Sequence, residues 1–176
     1  MKYCVYIVFY LFSSLVCEAQ VDSLVSNFKE CKGYLLKDSI SLFDNLRNFT
    51  VKLPENWNGK LEGDLNTLQI NKKPYSSIFK LIGSSSYDSN ADGIETEKKA
   101  PNLVGIVTIE SQEVVILKHP NGMLKEKTLH KYTFHFETKN NPWVWMFYLV
   151  ADRFPTREDI CEIKYIINQY IHGLKK

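Results

Sequence analysis

The chain reads as an α+β domain, an antiparallel sheet of about six strands flanked by helices at its N- and C-terminal ends, and three features predict this. The first is Trp143-Val144-Trp145-Met146-Phe147-Tyr148-Leu149-Val150, in which both alternating sets of side chains are apolar. A strand with one wet face alternates apolar and polar residues, so this one belongs in the middle of a sheet covered on both sides. Asn140-Asn141-Pro142 and Arg153-Phe154-Pro155 bound it too tightly for a core helix. The second is the segment after it. Thr156 is placed as an N-cap, Asp159 three residues on completes a box-like pair, and Ile160, Ile163, Ile167, Tyr170 and Ile171 recur at helical spacing before Gly173. The third is a series of short alternating runs separated by Pro, Gly and Asn, as antiparallel strands require.

In chain order, residues 1–19 are read as a signal peptide. Lys2 gives a basic start, Tyr3 to Val16 is an apolar run shorter than the roughly 20 residues a bilayer span needs, and Cys17-Glu18-Ala19 carries small residues at the spacing of a cleavage site. Cleavage before Gln20 would leave residues 20–176 as a single secreted or periplasmic domain. Acylation of Cys17 is the competing reading, and it sits poorly with Val16 and Ser14 at positions where such a motif takes a small residue and an aliphatic one. No second apolar run is long enough to span a membrane.

Leu24, Phe28 and Cys31 after Asp22-Ser23 predict a short amphipathic helix ending near Gly33. Residues 40–46 fit a helical turn and an edge strand equally. Phe49 to Leu53 alternates and stops at Pro54, predicting a strand that runs into a turn at Glu55-Asn56-Trp57. Leu65 to Ile70 and Ser77 to Ile82 predict two more strands around a turn at Asn71 to Pro74. Gly83 to Pro101 is polar, serine-rich and acidic, ends in Lys98-Lys99, and reads as one loop longer than compact domains usually tolerate. Beyond it, Leu103 to Ile109 and Val114 to Lys118 predict strands, His119-Pro120-Asn121-Gly122 a turn, and Thr128 to Thr138 a further strand with Tyr132, Phe134 and Phe136 on one face and Thr133, His135 and Glu137 on the other.

The formal net charge is +2, with basic and acidic residues interspersed, so nothing marks a nucleic-acid surface and a protein partner is the expectation. Outside the leader the cysteines are Cys31 and Cys161. In an oxidising compartment they can bridge, and as small hydrophobes on helical faces they can equally stay free. Asn48-Phe49-Thr50 is a glycosylation sequon, meaningful only in a pathway that glycosylates.

Two stretches could carry chemistry. Asp88-Ser89-Asn90-Ala91-Asp92-Gly93 has the D-x-N-x-D-G form whose alternate oxygens wrap a hard cation, with the Ile94 carbonyl as a further ligand and Glu97, or Glu95, closing the shell where an EF-hand has its twelfth-position glutamate and this chain has Lys99. Calcium is therefore the one cofactor the sequence suggests, and a solvated polar turn uses the same residues. His135 and Glu137 share a strand face, a spacing suited to a base with its orienting carboxylate, which makes a hydrolase-like enzyme the remaining alternative. No nucleophile elbow and no metalloprotease helix accompanies them.

A strand entering Leu53-Pro54-Glu55-Asn56-Trp57, a meander of strands, the aromatic strand from Trp143 to Val150 and a closing helix together resemble the PsbP-like fold family, named for an extrinsic subunit of the photosynthetic oxygen-evolving complex. The outline runs from Phe49 to Ile171, and the Pro-Glu-Asn-Trp turn is its local sequence likeness. The resemblance implies a helix-flanked PsbP-like sandwich that acts through protein contacts without catalysis, and it supplies no catalytic set. The functional expectation is thus a secreted or periplasmic interaction or assembly module.

Overall fold

The computed structural model describes residues 23–31, 39–44, 49–62, 67–74, 77–87, 94–138 and 141–173, so the expected signal peptide and the Asp88 to Gly93 stretch lie outside the described residues. Helix α1 covers residues 23–30. Strands β1 (Ser39–Asp44) and β2 (Phe49–Pro54) pair antiparallel as a small sheet. Seven further strands form the main sheet: β3 (Trp57–Glu62), β4 (Thr67–Lys72), β5 (Phe79–Tyr87), β6 (Leu103–Ile109), β7 (Gln112–Leu124), β8 (Lys127–Thr138) and β9 (Asn141–Ala151). A short helix, α2 (Glu95–Lys98), precedes β6, and α3 (Arg157–Gly173) closes the chain. No described helix is long and apolar enough to cross a membrane.

The main sheet has the order β3-β4-β5-β9-β8-β7-β6, antiparallel throughout. Two meanders, β3 to β5 and β6 to β9, meet where β9 enters beside β5. The doubly apolar strand is therefore central, with three strands on each side. On its core face Trp145, Phe147 and Leu149 are buried against α3, whose predicted stripe of Ile160, Ile163, Ile167, Tyr170 and Ile171 is buried throughout. The predicted cap is in place: the Thr156 backbone N–H donates to Asp159 Oδ2 at 2.7 Å, and the Asp159 N–H donates back to Thr156 Oγ1 at 3.3 Å.

The two helices are tied together. Cys31 and Cys161 form a disulfide across a sequence separation of 130 residues, which on chain-entropy grounds stabilises by roughly 4–5 kcal/mol. Lys164 Nζ donates to the Phe28 and Cys31 carbonyls, satisfying the open C-terminal end of α1. The Gln169 amide exchanges two hydrogen bonds with the Lys52 backbone and so completes one edge of β2.

Four sequence expectations are corrected. Residues 83–101 are not one long loop. Gly83 to Tyr87 continue β5 because β9 offers them partners from Phe147 to Trp143, and Gly83 permits the approach, since a Cβ there would stand 2.7 Å from the Phe147 ring. His119 to Gly122 is not a turn but a one-residue bulge within β7, with Pro120 lying past the end of β6 where a missing N–H breaks no ladder bond. The reversal falls instead at Lys125-Glu126 (φ 46° and 65°), as the preceding one falls at Glu110-Ser111 (φ 46° and 71°). Trp57 ends no turn; it opens β3, an unpredicted strand. Finally, residues 39–44 are a strand, and with β2 they form a second sheet rather than an edge of the first.

Candidate functional site

The chain leaves β5 beside the centre of the sheet and re-enters at its far edge, β6, so the connection must cross the face opposite α3. It carries α2 over that face and buries Ile94 against Val115, Leu117 and Val144. The crossing covers one end of the outer face. What it covers is polar as well as apolar.

Alternation on β8 sends Thr133 and His135 outward while Tyr132, Phe134 and Phe136 enter the core. The neighbouring register on β7 places Leu117 opposite Thr133, with His119 two residues on; that on β9 places Tyr148 opposite Thr133. Thr133 Oγ1 lies 2.9 Å from His119 Nε2 and 2.9 Å from His135 Nε2. From α2, Glu97 Oε1 stands 3.9 Å from His135 Nδ1, and the His119 ring meets Tyr148 edge-on at 6.0 Å. Burial, with His119 adding to it, pushes His135 down to about 4, so its ring is neutral at neutral pH. A neutral His135 facing a carboxylate places its proton on Nδ1. With that tautomer Nε2 accepts from the Thr133 hydroxyl, which can accept in turn from His119 Nε2–H; the donor and acceptor roles are assigned from the charge of Glu97 and are not observed.

The order hydroxyl, imidazole, carboxylate has the logic of an activated nucleophile. Its surroundings do not suit that chemistry: Thr133 is 3% exposed and its oxygen already serves two imidazoles, so a substrate carbonyl cannot reach it. Of the residues expected to do chemistry, His135 is in the cluster but Glu137 is not its carboxylate partner; Glu97 takes that place. Glu97, expected as a calcium ligand, has its Oε2 buried without a hydrogen-bond partner. The Ile94 carbonyl accepts the Lys98 N–H at 3.1 Å as the first acceptor of α2. Asp88, Asn90 and Asp92 lie outside the described residues, and among the described residues no group of three metal-capable side chains converges.

A second polar cluster lies under the start of α3. Lys72, buried on β4, bridges Asp159 at 2.6 Å and Glu162. Trp57 Nε1 donates to Glu162 Oε2 at 2.8 Å and Asn56 Nδ2 donates to Glu162 Oε1 at 3.2 Å. Arg153 pairs with both oxygens of Asp159 while its guanidinium rests 4.7 Å from the Phe79 ring. Burial raises the Asp159 carboxyl, but hydrogen bonds from Arg153, Lys72 and the Thr156 backbone outweigh it and hold the group far below the usual carboxylate range. The Pro54-Glu55-Asn56-Trp57 turn is thus an anchoring device. It fastens the junction of the two sheets to the closing helix.

The third feature is the sheet edge. Strand β6 pairs with β7 alone, and of its side chains Leu103 and Ile106 are exposed while Val107 and Ile109 are buried. Beside it lies an open cleft of about 400 Å³ lined by Asn102, Leu103, Val104, Lys118, His119 and Pro120, among others.

No protein-family model matches the chain, and no curated protein matches it in sequence. Solved structures match it in outline. A crystal structure from Bacteroides thetaiotaomicron VPI-5482 is similar at 13% identity and a TM-score of 0.50 over 68% of this chain and 42% of that one, so the chain spans less than half of that protein. Protein PA94 of Pseudomonas aeruginosa, of unknown function, is similar at 13% identity and a TM-score of 0.36 over 76% and 93%. The solution structure of cyanobacterial PsbP from Synechocystis sp. PCC 6803 is similar at 10% identity and a TM-score of 0.40 over 82% and 95%. The last agrees with the resemblance read from the sequence as a weak likeness of fold.

Proposed function

We propose that the protein is a secreted or periplasmic, non-catalytic interaction module that receives an extended segment of a protein partner along β6. The observation that carries this reading is an edge strand that, among the described residues, pairs with β7 alone and bears the exposed Leu103 and Ile106 next to an open cleft. Natural sheets blunt their edges with charge, proline or bulges; β6 has a register shift between Leu103 and Gly105 but no charge and no proline along Leu103–Ile109, and an apolar edge is suited to strand addition, where main-chain bonds give affinity and alternate side-chain pockets give selectivity. The enclosed hydroxyl of Thr133 supports a role without turnover.

The test is the pair of substitutions Leu103→Lys and Ile106→Lys. Both sites are exposed, so stability should stay within about ±0.5 kcal/mol of the parent while recovery of a bound partner by the tagged, exported protein is lost. Undiminished recovery from both variants would overturn the assignment. The location is tested separately by mass spectrometry of the exported chain, which should begin at Gln20; a diacylglycerol on Cys17 or an uncleaved leader contradicts it.

A further inference from the structure

The β7–β8 hairpin extends beyond the sheet that carries it. Strand β6 reaches only as far as Leu117 in the register of β7, and β9 reaches only His130 in that of β8. Asn102 still bonds the Lys118 backbone, but from Gly122 to Leu129 the two strands, among the described residues, ladder only with each other, through Gly122↔Leu129, Met123↔Thr128 and Leu124↔Lys127. A two-stranded ribbon is marginal in water on its own, and this one is tied back to the sheet by the His130 ring lying 3.9 Å from Phe154 at its root and by the ion pair at 2.7 Å from Lys127, beside the tip, to Asp152. Its tip carries Met123, 70% exposed, and Leu124, 48% exposed. The four exposed large hydrophobics among the described residues are these two and the β6 pair.

Successive residues of a strand point to opposite faces, so Met123 and Leu124 make both sides of the ribbon tip apolar. A protein groove that takes one face of a hairpin needs one apolar side, whereas a medium that surrounds the tip needs two. Charge points the same way. Residues 118–131 hold Lys118, Lys125, Lys127 and Lys131 against Glu126, a net +3 that the Asp152 partner of Lys127 reduces to +2, as much as the whole chain carries. The Lys131 ammonium lies along the ribbon itself, 2.7 Å from where a Cβ on Gly122 would stand. An apolar tip with a basic collar matches an anionic bilayer surface, where the apolar pair enters the acyl boundary and the lysines stay at the headgroups.

We infer that the tip of the β7–β8 hairpin is a membrane-contact site, inserting Met123 and Leu124 shallowly into an anionic lipid surface. The full-length protein carrying Met123→Trp is mixed with vesicles of acyl-brominated phosphatidylglycerol, or of phosphatidylcholine brominated in the same way. Trp57, Trp143 and Trp145 are common to parent and variant, and Trp57 and Trp145 are buried, so the difference between the two proteins reports position 123. The expected result is a blue-shifted, quenched emission with the anionic vesicles and little change with the neutral ones. Lys125→Gln in the same background should weaken partitioning about fivefold, the value of one basic residue at such a surface. An emission that stays that of a water-exposed indole in anionic vesicles, or equal partitioning into both lipids, overturns the inference; the first outcome would assign the tip to a protein partner instead.

Discussion

The two polar clusters occupy opposite faces of one sheet and solve the same problem differently. Under α3, every carboxylate faces a cation or a donor: Asp159 has Lys72, Arg153 and Thr156, and Glu162 has Lys72, Trp57 and Asn56. On the outer face, two imidazoles share one neutral hydroxyl, and the carboxylate that faces them among the described residues is 3.9 Å away. Burial acts on both. In the first it is overcome by partners, so Asp159 stays charged; in the second it prevails, and His135 is held neutral. The fate of a buried titratable group is set by what stands within hydrogen-bond distance, more than by how deeply it lies.

The largest expected effect comes from breaking the charged cluster on one side. Lys72→Met removes the cation between two carboxylates that are 1–2% exposed at the side chain, and stranding a buried charge costs about 3–5 kcal/mol. Chemical denaturation should show the midpoint falling accordingly. Adding Glu162→Gln should restore part of the loss, because one of the stranded charges goes with it. A single variant that unfolds at the parental midpoint would show that the cluster contributes polarity and no stability.

The next effect separates the clusters by pH. His135 has its folded value pushed down to about 4 from 6.5, so the unfolded chain takes up the proton first as pH falls. Its contribution is complete above about 6.5 and is lost on the way down to about 4, on the order of 3 kcal/mol across that window. His130, lowered by burial and by Lys118, acts in the same direction. Asp159 acts in the same sense at lower pH: its value is lowered below 3.8 in the fold, so the unfolded chain again takes up the proton first, and its contribution, complete above that value, is lost only as pH drops further. The stability profile should therefore fall in two steps. His135→Asn should remove most of the upper step and leave the lower one, which denaturation at a series of pH values will show.

Much of this was legible in the sequence, and the failures have a common cause. The central strand and the α3 stripe were readable because each is periodic by itself, and the Thr156–Asp159 box because it is local. Strand Gly83 to Tyr87 was not, since Ser84-Ser85-Ser86 looks like loop until β9 supplies its partner. His119 was placed in a turn by Pro120 and Gly122, which hid its place beside Thr133. Glu97 and Glu162 show the same limit. Glu97 reads as a calcium ligand of a loop and Glu162 draws no reading, and only the tertiary register brings His135 to one and Trp57 to the other. The Pro-Glu-Asn-Trp turn was recognised by likeness, while its reason, a buried carboxylate on α3, is visible only in the fold.

The smallest expected effect is the sharpest test of the comparison. Glu97 has one carboxylate oxygen buried without a hydrogen-bond partner and the other too far from His135 for a hydrogen bond, so it acts on the ring through charge alone. Glu97→Gln keeps the shape and removes that charge. At neutral pH, where His135 is neutral, little is lost, and stability should stay within about 1 kcal/mol of the parent, with any change favourable because a desolvated charge has gone. Attraction for the imidazolium disappears, so the His135 ring should become harder still to protonate and its titration, followed by NMR of the ring nitrogens, should move further down. An unchanged titration would mean that Glu97 is not felt by the ring. A loss as large as that of Lys72→Met would mean that the outer cluster is charge-paired like the inner one, and the contrast between the two faces would fall.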